Sequence, residues 1–135
     1  MTFKMDATVR NAMLDAIETQ IGTLPHLKVW TGAAPANCGT ADSGSLLANI
    51  ALPSDWMANA SGGAKAKSGT WDEASADGTG TAGYFRIYDS GGVCRAQGTV
   101  TATGGGGDMT VDNTSFAAGQ DFTVTSFTIT AGNVG

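Results

Sequence analysis

Two hydrophobic periods divide this chain at Gly22, and they leave few folds open to it. Val9, Met13, Ile17 and Ile21 recur every four positions, with Ala12 and Ala16 beside them, which sets one apolar stripe along an amphipathic helix. Asp6 supplies a side-chain oxygen to cap the first backbone N–H groups, and Gly22 tolerates the left-handed conformation that ends a helix. Beyond Gly22 the apolar residues alternate in short runs separated by Gly, Ser, Asp and Asn. A period of two, interrupted so often, builds half-buried strands instead of helices. The chain therefore reads as an N-terminal helix over 1–22 and a β-domain over 23–135, together one structural domain.

The strand signals differ in strength. Leu27, Val29 and Thr31 alternate with Lys28 and Trp30, and Leu46, Ala48, Ile50 and Leu52 share one face of a strand that stops at Pro53. Ala64, Ala66 and Ser68 oppose Lys65 and Lys67, which predicts a strand solvated on its lysine side. The stretch from Asp72 to Gly83 reads as a polar loop, and Tyr84 to Tyr88 is the strongest strand signal. Asp89, Ser90, Gly91 and Gly92 predict a hairpin turn into a strand from Val93 to Val100. The run Gly104 to Gly107 marks a hairpin tip or a close approach of another backbone. Near the end, Phe122 and Val124 keep one phase whereas Phe127 and Ile129 keep the other. That predicts a bulge near Thr125 and Ser126, or a strand that changes the core it faces. Seven or eight such strands predict a mainly β fold, an antiparallel β-sandwich of jelly-roll type with one N-terminal α-helix.

Charge narrows the partners. Only 14% of the 135 residues are charged, against roughly 25% in typical domains, and the net charge is -5. Nucleic-acid binding needs clustered Lys and Arg, and Lys65 with Lys67 is the densest basic pair here, so nucleic acid is not an expected partner. No apolar run is long enough to span a bilayer, and the first twenty residues read as a helix carrying Asp6, Asp15 and Glu18, not as a secretory signal. Cys38 and Cys94, 56 positions apart, leave a disulfide open, but without a secretory signal the default is two reduced thiols acting as small buried residues. Two cysteines and His26 cannot close a four-ligand zinc site, and neither a metal nor a cofactor is expected.

Candidate chemistry is sparse. Asp89-Ser90-Gly91-Gly92 resembles the nucleophile segment of chymotrypsin-like proteases, and His26 is the sole histidine that could serve as base. The chain is far too short for two barrels, and the same tetrapeptide is ordinary turn chemistry. Glu73, Ser75, Asp77 and Gly78 open like a calcium loop, yet Tyr84 stands where a bidentate Glu should close it. Asp72 and Glu73 are adjacent, so in a strand they point to opposite faces and cannot flank one bond. Gly104 to Gly107 lacks the Lys and Ser or Thr of a phosphate loop. The expectation is a protein without enzymatic activity.

Interaction is the better expectation. Trp30, Trp56 and Trp71 are candidates for a flat aromatic platform that stacks on a sugar ring, or for contacts between proteins, where aromatics are enriched. With the helix stripe, the candidate interface comprises Val9, Met13, Ile17, Trp30, Trp56 and Trp71.

Leu27-Lys28-Val29-Trp30-Thr31-Gly32-Ala33-Ala34-Pro35-Ala36-Asn37-Cys38 and Leu52-Pro53-Ser54-Asp55-Trp56 resemble a family of small tailed-bacteriophage and prophage proteins. The stretches Ser75 to Tyr88 and Val124 to Thr130 extend the similarity over nearly the whole chain. The resemblance implies a virion structural protein, made in the host cytoplasm. A head decoration or cement protein is the first expectation, a homo-oligomer such as a trimer that binds the major capsid protein or another virion protein. A tail or fibre module that binds a glycan or receptor is the alternative. The resemblance carries over no catalytic residue.

Overall fold

A computed structural model of the chain describes residues 3–132. Helix α1 spans Ala7–Ile21, with the Asp6 side chain accepting a hydrogen bond from Val9 N and the Gly22 N–H closing the last turn on Glu18 O. Nine strands follow: β1 (His26–Thr31), β2 (Leu46–Ala51), β3 (Ala64–Ala66), β4 (Asp72–Glu73), β5 (Gly80–Tyr88), β6 (Cys94–Ala102), β7 (Met109–Val111), β8 (Ser115–Phe116) and β9 (Phe122–Thr130). The main path runs β2-β1-β5-β6-β7-β9-β3, with β4 added on β9 and β8 on β5. The sheet curls as a half-barrel around one core, in which Leu27, Val29, Phe85, Ile87, Trp56, Trp71, Phe122 and Phe127 meet.

The fold is mainly β with one helix, as the periods predict, but it departs from them in three ways. First, the sheet is mixed. β6 and β7 run parallel, Val100 opposite Met109 and Ala102 opposite Val111. Parallel neighbours ordinarily need a crossover of a dozen or more residues, whereas here a short glycine loop makes the return. It folds flat against β6: a Cβ at Gly105 or Gly107 would meet Thr101 at 2.7 or 2.8 Å. Asp108 Oδ2 fixes the return by accepting from Thr99 N and Thr99 Oγ1. The glycine run is therefore a place of close backbone approach.

Second, the stretch from Asp72 to Gly83 contains β4 and the start of β5, short pairings without a local apolar signal. Third, Lys65 is not solvated. It is 1% exposed, and its phase of β3 faces the helix. The bulge expected in the last strand is present: Thr110 pairs with Ser126 and Val111 with Val124, so Thr125 is the extra residue. Phe122, Val124 and Phe127 thereby all reach the core.

Candidate functional site

The helix docks through Leu14 and Ile21 and through a polar row beside them. Asn11, Asp15 and Glu18 follow one another at helical spacing, and each accepts a backbone N–H from the segment before and around β3: Gly63 N to Asn11 Oδ1 at 2.8 Å, Ala60 N to Asp15 Oδ1 at 2.9 Å, and Met57 N to Glu18 Oε2 at 3.4 Å. The irregular segment has N–H groups to satisfy, and the helix supplies the acceptors. Lys65 Nζ completes the seam with Asp15 at 2.7 Å and Glu18 at 2.9 Å. Burial works against the Lys65 charge, but the hydrogen bonds to Asp15 and Glu18 outweigh it and hold the ammonium above its usual value. The Lys65 hydrogen bond, with that from Ala60 N, holds the Asp15 carboxyl below its usual range.

Arg10 lies against Gly63, where a Cβ would sit 1.7 Å from its Nη1, so only glycine admits the guanidinium. Arg10, Leu14 and Ile21 are the buried residues of the helix.

The apolar stripe is therefore split: Ile21 enters the core and Ile17 packs against it, whereas the interface candidates Val9 and Met13 face outward. Val9 is 48% and Met13 51% exposed, and Ile17 is half-buried. A groove of about 380 Å³ runs along this side, lined by Met13, Ala16, Ile17, Gln20, Ile21 and Arg95. It adjoins a second of about 460 Å³, which shares Ile17 and Arg95 and reaches Ala96 and Thr128.

On the far side of the β-unit, residues 32–45 form a strap over the outer face of β5 and β6. Arg86, 2% exposed, donates to Asp42 Oδ1 at 2.7 Å, to Asn37 O at 3.0 Å and to Gln97 Oε1 at 3.1 Å. Tyr88 donates its O–H to Asp42, Tyr84 donates to Ser43 O, and Gln97 Nε2 donates to Pro35 O. Burial, then the Asp42 carboxylate, pushes the Tyr88 phenol up to about 12.

A Cys38–Cys94 disulfide pins the strap to the start of β6, with Cα atoms 5.3 Å apart. The expectation of two reduced thiols is thus corrected. It rested on compartment alone, whereas the docking of the strap brings the pair together. Reduction, or Cys38→Ser, is expected to cost about 2–4 kcal/mol of stability. Denaturant melts with and without reductant check this, and coincident melts would refute it.

Of the three tryptophans, only Trp30 keeps any exposure. It stacks on Tyr84 with centroids 6.4 Å apart, on the outer face of β1. Trp56 and Trp71 are 0% exposed and donate their indole N–H to Gly22 O and Ser68 O. Neither can present a face to a sugar or a partner, so the three-tryptophan platform is not assembled. The large rings instead fill the space between helix, β3 and β9.

His26, Asp89 and Ser90 do meet in one cleft, together with Lys28, Asn49 and Tyr88. Their bonding is not that of a triad. His26 Nδ1 faces Asn49 Oδ1 at 3.3 Å, while Asp89 accepts from Gly91 N, Val93 N and Arg95 Nε. The backbone hydrogen bond from Val93, followed by that from Arg95, holds the Asp89 carboxyl below its usual range. Asp89 shapes its own turn and does not orient the imidazole. Among the described residues no group of three His, Cys, Asp or Glu side chains is arranged to hold a metal ion.

Comparisons with known protein families, with curated proteins and with solved structures find no match to this chain.

Proposed function

We propose that the protein is a structural component of a tailed-phage particle, a head decoration or cement protein that binds the capsid exterior as a homo-oligomer. The observation that carries this reading is the outward-facing N-terminal part of the α1 stripe. The helix spends its polar stripe on its own β-unit and turns Val9 and Met13 outward beside an apolar groove. Exposed large apolar side chains that line a groove mark interaction surfaces. A second copy is the occupant proposed, since the exposed helix edge of one copy can enter the groove of the next, a head-to-tail contact that a closed ring buries at every subunit.

Low charge and the similarity of the Leu27 to Cys38 and Leu52 to Trp56 segments to small virion proteins support the same reading. It takes the β-unit as a jelly-roll-like sandwich, supported by the single core that the β2-β1-β5 and β7-β9-β3 ends of the sheet share. It takes the chain as non-catalytic, made in the host cytoplasm and carried in the virion.

Light scattering across a concentration range tests it. A trimer or larger closed oligomer is expected, dissociating in Met13→Asp to a subunit that stays folded, because that side chain is 51% exposed in the single chain. A monomer at every concentration that also fails to bind phage heads would overturn the reading.

A further inference from the structure

The cleft between β1, β2 and the β5–β6 turn has donors in excess of acceptors. Its volume is about 310 Å³, at the small end of ligand sites, with room for one sugar-sized ring. Lys28 Nζ lies 4.8 Å from the centre of the Tyr88 ring, which holds the ammonium in place without neutralising it. Both carboxylates near the cleft are already matched by guanidinium groups: Asp89 by Arg95 at 2.9 Å and Asp42 by Arg86 at 2.7 Å. Among the described residues no carboxylate pairs with Lys28 or His26. In a chain of net charge -5, this is a local positive site.

The remaining groups are donors of the right kind. Asn49 turns Oδ1 to His26 Nδ1, which leaves its amide NH₂ for a ligand, and Ser90 stands exposed on the rim. We propose that this cleft binds a small hydroxylated oxyanion, a carboxylate-bearing sugar residue. The carboxylate sits against Lys28, and Asn49 and Ser90 hydrogen-bond the ring hydroxyls. The inference does not depend on the assembly reading, since the cleft shares no residue with the helix groove.

The test is an amide-shift titration of the intact disulfide-bonded protein with glucuronate, glucose and inorganic phosphate at constant ionic strength. Saturable shifts at residues 26–28, 49 and 88–92 with glucuronate, and much weaker ones with glucose, are expected. Lys28→Gln should weaken glucuronate binding about tenfold or more, the scale of one charge-assisted hydrogen bond, while Lys28→Arg retains it. Asn49→Ala, at an exposed position, should weaken binding independently if the Lys28 variants fold poorly. Phosphate binding as well as glucuronate would overturn the sugar assignment. Equal response to glucose, shifts without saturation, or indifference to both Lys28→Gln and Asn49→Ala would overturn the site.

Discussion

Trp71→Ala is expected to lower the unfolding free energy by about 3–5 kcal/mol, the range for deleting a buried indole. The ring is 0% exposed, with centroids 6.2 Å from Trp56 and 5.7 Å from Phe127, and its N–H satisfies Ser68 O. Truncation opens a cavity where the paths of β3 and β9 converge and strips a carbonyl of its donor, so transfer, cavity and hydrogen-bond costs add. Trp56→Ala should behave alike and also free Gly22 O at the end of the helix. Trp30→Ala, on the partly exposed outer face, should cost far less. Urea melts of the three variants check the ranking. A loss at Trp71 of only about 0.5 kcal/mol, the surface range, would place that residue outside the core.

The same ranking shows which parts of the molecule were legible from residues alone. Helix ends, the Tyr84 to Tyr88 strand, the Asp89 to Gly92 turn and the Thr125 bulge all follow from period and turn chemistry within a few neighbours. The polar half of the helix seam does not, because it depends on N–H groups of Met57, Ala60 and Gly63 that need acceptors, and nothing local to the helix announces them. Lys65 was misplaced for the same reason: an alternating Ala–Lys run has no intrinsic inner phase until Asp15 and Glu18 cover one side. The strap that buries Arg86 and joins Cys38 to Cys94 is likewise a long-range event. The cleft was half visible, since His26 and the Asp89-Ser90 turn stood out, but Lys28 and Asn49 became partners only through the pairing of β1 with β2.

The strap leads to the sharpest electrostatic expectation. Asp42→Ala removes the carboxylate facing Arg86 and leaves a guanidinium that is 2% exposed with only Gln97 Oε1 and Asn37 O as acceptors. An uncompensated buried charge costs about 3–5 kcal/mol. Arg86→Met should cost less, because the Asp42 side chain, 35% exposed, can be hydrated where it stands. The double variant should then recover part of the Asp42→Ala loss, a coupling that a double-mutant cycle reads directly.

Tyr88 gives a second readout. Its phenol, raised from 10.0 to about 12 by burial and then by Asp42, keeps its proton more tightly folded than unfolded. That contribution is complete below pH 10 and is lost as the pH rises through about 12, so wild-type stability should fall across that window. Without Asp42 the phenol loses both its acceptor and the neighbouring negative charge, and its ionisation should move back toward 10.0. Ultraviolet titration of the phenolate separates the two cases. If Asp42→Ala left both the Tyr88 ionisation and the stability unchanged, the strap would not be held by this network.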